Sequence, residues 1–225
     1  LLGLLQEITV KKTLALLHQF TERTGAMTGE ESRDMMFGRI FGLRSIISSG
    51  ILNRSSTTVE DFEQIYDDLY EIAQTKTYLS EVCHHVAIST LPIISNLECK
   101  TEAMEALVSK FLNDGVNTPD QLHLVLAIIS TVPDLDLQKQ FESWKSPQVL
   151  DVANLPKIAR ILKETSSEDE EVRSNWRPQL HSVWDVLLND VVSGQSDKMA
   201  SKTKQASFQE FWRVTVDGTV YSDIV

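Results

Sequence analysis

The sequence predicts an all-α fold, a HEAT/armadillo-like α-solenoid of antiparallel helix pairs. Three observations carry that expectation. Nearly every apolar pattern repeats with helical rather than alternating period. Helix starts are spelled by cap residues and by prolines in the first turn. Alternate helices begin near residues 4, 58, 101, 138 and 176, steps of roughly 40–50 residues, which is the spacing of stacked helical pairs. The units do not resemble one another in sequence, so the expectation is architectural. It makes residues 1–225 part of one continuous α-solenoid.

Taken in order, residues 4–20 place Leu5, Ile8, Leu14, Leu16, Leu17 and Phe20 in a helical band. Thr28-Gly29-Glu30-Glu31 spells a capping box that opens a helix reaching about Gly50. Thr57-Thr58-Val59-Glu60 opens the next, with Phe62, Ile65, Tyr66, Leu69, Ile72 and Ala73 as its stripe and Glu60, Asp61, Glu63, Asp67, Asp68 and Glu71 outside. One helix over 78–97, bent at Pro92, is expected to follow. Residues 101–113 carry Met104, Leu107, Val108, Phe111 and Leu112 on one face, and Asn113-Asp114-Gly115 stops them. Thr118-Pro119 starts a helix that ends before Pro133, and shorter helices are expected over 136–145 and 148–164, the latter interrupted near Pro156. The stretch 165–175 reads as an acidic linker and 193–207 as a mobile loop. Leu180, Val183, Trp184, Leu187, Leu188 and Val191 stripe a helix between them. Val214–Tyr221 alternates around Asp217-Gly218, as a hairpin or an inter-helix connection.

A chain of 225 residues with 42% hydrophobic and 24% charged content can bury a sizeable core. Its net charge of −11 repels nucleic acid and anionic membrane at long range, so phosphate contact requires a local basic patch or other parts of a longer protein. Two cysteines, Cys83 and Cys99, do not suggest a disulfide scaffold. No apolar run reaches the roughly 20 residues of a membrane span. The first residues, Leu1-Leu2-Gly3, and the last, Asp223-Ile224-Val225, suggest a fragment.

Sites for chemistry are few. Asp134-Leu135-Asp136 is the one spelling that tempts a two-metal reading, yet it follows Pro133 in a helix connection with no strand to hold it. Cys83-His84-His85 places its histidines about 100° apart on a helix, with no second ligand pair. No catalytic, cofactor-binding or metal site is therefore expected, nor a small-molecule substrate. Lys198, Lys202 and Lys204 are weak candidates for phosphate contact. Gly38 and Gly42, one turn apart, are expected to admit a neighbouring helix closely.

Two blocks carry a family resemblance. One is Trp176-x-Pro178-x-Leu180-His181-x-Val183-Trp184-Asp185, continued by Phe211-Trp212-x-Val214-x-Val216-Asp217. The other is Phe37-Gly38-Arg39-x-Phe41-Gly42-Leu43 followed by Ser49-Gly50-Ile51-Leu52. Together they resemble fungal-like members of the Myb-binding protein / DNA polymerase phi family of nucleolar proteins. Gly38, Gly42, Trp176, Pro178, Trp184 and Trp212 are its structural motif residues here. The resemblance implies a non-enzymatic nucleolar scaffold in rDNA transcription and large-subunit ribosome biogenesis. By the same resemblance the full-length protein binds pre-ribosomal particles, ribosomal RNA or rDNA chromatin and other nucleolar proteins, with no membrane role. Two competing expectations are a DNA polymerase, as the family name suggests, and a transport-receptor-like adaptor that takes basic peptides on the acidic face of 60–71.

Overall fold

The computed structural model describes residues 8–21, 29–133, 135–146, 148–167, 181–187 and 213, without the side chains of 77, 152 and 163–167. Among them every α-helical and 3-10 element is helical in period, and helices pack against one another in pairs. The chain divides into two compact units, Leu1–Asn113 and Asp114–Val225.

The first unit contains α1 (Val10–Thr21), α2 (Gly29–Ser48), α3 (Val59–Thr75), α4 (Thr77–Ile88), the short α5 (Leu91–Ile94) and α6 (Lys100–Phe111). Its centre is α3, which packs against α4 on one side and α6 on the other. The stripe expected on α3 is buried from Phe62 to Ala73, with Phe62, Ile65 and Leu69 fully enclosed. Each such side chain contributes roughly 1.5–3 kcal/mol on burial. Phe111, at the end of α6, collects edge-on contacts from Tyr66, Tyr70 and His84 at 6.2, 5.7 and 5.0 Å. Three helices are therefore joined at one ring, in the T-shaped geometry that aromatic quadrupoles favour. The Tyr66 hydroxyl is buried with them and hydrogen-bonds the Thr90 hydroxyl at 2.8 Å.

One expectation here needs correction. Residues 78–97 are two helices rather than one bent helix: α4 ends at Ile88 and α5 begins at Leu91. Proline removes a backbone donor and its ring collides with the carbonyl four residues earlier. For Pro92 that residue is Ile88, the last of α4, and Pro92 itself sits in the first turn of α5, where no donor is missed. The chain stops and restarts instead of bending.

The second unit contains α7 (Pro119–Thr131), the 3-10 turns Gln138–Phe141 and Val152–Asn154, α8 (Leu155–Ser167) and helical residues 183–187. Gly115, with φ 81°, makes the left-handed turn that leads into it. The start of α7 is a full capping box: Gln121 N–H donates to Thr118 Oγ1 at 3.2 Å, and Thr118 N–H to Gln121 Oε1 at 3.1 Å. Two further expectations change. The helix expected over 136–145 is a single 3-10 turn, and the proline expected to interrupt 148–164 instead lies in the first turn of α8. The α8 helix also runs through Ser167, so the first three residues of the stretch read as a linker are helical.

Between those two turns a single side chain organises the loop. Asn154 Oδ1 accepts from the N–H groups of Lys145 and Ser146 at 3.0 and 3.1 Å, while Nδ2 donates to the carbonyls of Ser146 and Gln148 at 2.9 and 2.7 Å. Asn154 is 1% exposed, so those four bonds replace the water that the loop backbone would otherwise need. Beside it, Trp144 meets Phe141 edge-on at 5.3 Å, and the Lys157 ammonium lies 4.9 Å above the indole. The same ammonium donates to Ser143 Oγ at 2.6 Å. Burial, and then the charge of Arg160, hold the Lys157 pKa below its usual range.

Candidate functional site

Of the residues singled out in the sequence, Lys198, Lys202, Lys204, Trp176, Pro178, Trp212 and Asp134 lie outside the described residues, as do most of the acidic stretch, the 193–207 loop and the 214–221 alternation. The remaining ones divide by role. Gly42 lies against Leu17 of α1: a Cβ at that position would come within 2.9 Å of Leu17 Cδ2 and closer still to Cδ1. Gly38 behaves differently, since a Cβ there would meet nothing within 4 Å. The close approach of α1 and α2 is made at one glycine. Val183 and Leu187 are fully buried, whereas Trp184 between them is partly exposed.

Two of the five histidines, His18 and His181, are brought to carboxylates by the fold. His18 of α1 donates from Nε2 to Asp68 Oδ2 of α3 at 2.7 Å, and Arg39 of α2 donates to His18 Nδ1 at 3.2 Å. A guanidinium only donates, so Nδ1 must accept and the ring is fixed in its Nε2–H tautomer. Arg39 also lies 3.6 Å from Asp68 Oδ1. Asp68 is 6% exposed, and a buried carboxylate of this kind is tolerated only when paired and hydrogen-bonded. The triad joins three helices.

A second grouping forms in the other unit. Val183 N–H donates to His181 Nδ1 at 3.0 Å, which leaves Nε2–H to donate to Asp120 Oδ1 at 2.8 Å. Ser182 Oγ lies 3.2 Å from Nδ1 of His123, whose ring stands edge-on to His181 at 6.2 Å. Ser, His and Asp thus do meet in space, which sequence spacing gave no means to see. Their wiring is not that of a nucleophile, base and orienting acid, because the carboxylate holds one imidazole and the hydroxyl touches the other. The group fastens helical residues 183–187 to the start of α7.

Half of the acids expected on the outer face of α3 are engaged within the unit, and one of them, Asp68, is buried rather than outside, because it pairs with side chains of α1 and α2. Asp61 accepts the Thr58 N–H in the cap at 3.0 Å, Asp67 pairs with Lys110, and Asp68 belongs to the buried triad. Glu60, Glu63 and Glu71 are exposed. The Cys83-His84-His85 run resolves in the same way: Cys83 is buried, His84 Nδ1 bonds the Ser80 carbonyl at 2.9 Å, and His85 faces solvent. Asp136 accepts from Gln138 N–H at 3.0 Å as an ordinary turn residue. Among the described residues no group of three or more His, Cys, Asp or Glu side chains is placed to hold a metal ion. Nor is any described helix long and apolar enough to cross a membrane. Among the described residues the most exposed large apolar side chains are Phe20 at 81%, Phe41 at 57% and Tyr78 at 54%, with Leu16 at 53%.

Against known proteins, the family described as DNA polymerase phi matches residues 1–224. The chain belongs to that family. It is 26% identical over 220 residues to the rDNA transcriptional regulator pol5 of Schizosaccharomyces pombe, covering 96% of the chain and 22% of that relative. It is 25% identical over 236 residues to the rDNA transcriptional regulator POL5 of Saccharomyces cerevisiae, covering 88% of the chain and 22% of that relative. The chain thus spans about a fifth of the length of these relatives. Both are named as regulators rather than as polymerases. No solved structure matches it.

Proposed function

We propose that this DNA polymerase phi family chain is a stretch of a non-enzymatic helical scaffold that works in the nucleolus, in rDNA transcription and large-subunit ribosome biogenesis. The observation that carries the reading is the match of the family over residues 1–224, together with two relatives that are both named rDNA transcriptional regulators. Packed helix pairs support the scaffold part, because stacked pairs present long surfaces without needing a catalytic pocket. In this reading both units belong to one continuous α-solenoid, and the full-length protein contacts pre-ribosomal RNA or rDNA chromatin and other nucleolar proteins. Lys198, Lys202 and Lys204 remain its candidates for phosphate contact.

The test is made in cells that carry the full-length protein. Crosslinking it to RNA and to chromatin, and mapping the recovered sequences, should enrich pre-ribosomal RNA or the rDNA repeat. Recovery of neither above a background control overturns the proposal.

A further inference from the structure

The outer surface of the α1–α2 pair is apolar where a solvated surface would be polar. Ile8, Lys12, Leu16 and Phe20 recur at intervals of four and are all exposed, and Asp34, Gly38, Phe41 and Ser45 form an exposed stripe on α2. Both stripes lie opposite the buried Leu14 and Leu43, so they share the face turned away from the core. The helices run antiparallel, since Leu17 meets Gly42 and His18 meets Arg39. That register sets Phe20 level with Gly38 and Leu16 level with Gly42. Phe37 stacks on Phe41 with ring centres 6.1 Å apart. A contiguous apolar face of this kind marks an interaction surface more often than a bare one.

Charge says what fits there. The acids of α1 and α2 are Glu30, Glu31 and Asp34, all at the start of α2, with Arg33 among them. Lys11 and Lys12 begin α1, and Arg44 lies near the end of α2, so by the antiparallel register they share the other end of the pair. The face is acidic at one end, basic at the other and apolar between. Such a face complements a copy of itself turned end for end. Gly38, near its middle, points the same way. A helical glycine costs about 1 kcal/mol, which Leu17 packing accounts for at Gly42, while nothing in the chain comes within 4 Å of a Cβ at Gly38.

We infer that a second copy of this chain docks antiparallel on the outer face of the α1–α2 pair, about a twofold axis that passes near Gly38 and Phe20. The same patch then serves both copies, as a twofold interface requires. Arg44 of each copy comes over Glu30 and Asp34 of the other, and the two α2 helices cross at Gly38, where the missing Cβ lets the backbones approach. Phe20, Leu16 and Phe41 fill the space around that crossing; in the dilute monomer the Gly38 site stays open. The net charge of −11 repels a second copy at long range. At physiological salt the Debye length is about 8 Å, so the charges brought into contact outweigh those spread over the rest of the surface. This inference does not depend on the nucleolar reading.

Sedimentation velocity of the chain at physiological salt, over rising concentration, should show monomer passing to dimer. A chain that stays monomeric throughout overturns the proposal and leaves the face to another segment of a longer protein or to a different partner. The variant F20D/F41D, changed only at exposed positions, should lose the dimer; a dimer that persists uses another surface and likewise overturns it. Two charge variants, each shown by circular dichroism to be folded, test the antiparallel arrangement. K12E/R44E makes both ends acidic and E30K/D34K makes both ends basic, so each alone should dimerise at least about tenfold more weakly. Mixed in equal amounts they should pair with each other, because the acidic ends of one meet the basic ends of the other. A mixture that associates no better than the separate variants overturns the assignment.

Discussion

At the scale of single residues, two glycines one turn apart make opposite demands. Alanine stabilises a helix by about 1 kcal/mol over glycine. At Gly38 the new methyl meets open space, so G38A is expected to raise the unfolding free energy by roughly that amount and the urea midpoint with it. At Gly42 three carbons of Leu17 stand within 3.2 Å of the methyl, and the whole side chain must move, at about 1–3 kcal/mol for overpacking. G42A should therefore melt below G38A, and an equal or higher midpoint would contradict the packing described. Tyr66 makes a prediction in alkali. Burial, partly offset by the Thr90 hydrogen bond, pushes its pKa well above the ordinary tyrosine value of about 10. Its contribution is thus fully present below about pH 10 and is lost as the pH rises above that, where the unfolded chain ionises first. Urea midpoints followed from pH 8 to 11 should fall more steeply for the natural chain than for Tyr66→Phe, and parallel curves would refute this.

At the scale of elements, the loop between the 3-10 turns of the second unit depends on Asn154. Replacing it with alanine leaves two N–H groups and two carbonyls without their partners. A net cost of about 2–4 kcal/mol is expected from four bonds of ordinary worth; a loss under ~1 kcal/mol in urea titration would mean that water substitutes for the amide. Leu187, fully buried, should cost about 2–5 kcal/mol as Leu187→Ala. Trp184→Ala should fall short of the ~3–5 kcal/mol of a fully enclosed tryptophan, because part of the indole meets solvent. The helices legible in the sequence were those with a strong period and a cap. The stripe and Thr58 cap of α3, and Thr118-Pro119 before α7, mark elements within a residue or two of where they form. The misread ones, 78–97, 136–145 and 148–164, turn on where prolines act and on a loop held by one distant asparagine, neither of which has a periodic signature. The histidine–aspartate contacts were invisible for a related reason: their partners lie 50 and 61 residues apart. Tertiary folding alone brings them together.

At the scale of the whole molecule, far-ultraviolet circular dichroism should report more than about half helix, well above the globular average, and a strand-dominated spectrum would sink the architecture. Primer extension with magnesium or manganese should give no template-dependent nucleotide incorporation. Incorporation abolished by changing Asp134 and Asp136 to alanine would reinstate the polymerase reading. The same distant contacts also bear on how the protein is made. His18 leaves the ribosome 50 residues before Asp68, and Asp120 leaves it 61 residues before His181. At about 5–20 residues per second, each half of a tie waits roughly 3–12 seconds for the other. Through that interval the nascent chain carries His18, joined 21 residues later by Arg39, without the acid, and afterwards Asp120 without its imidazole. Neither unit can close its polar junction until its last partner emerges, so synthesis speed sets the earliest moment at which each unit reaches its final fold.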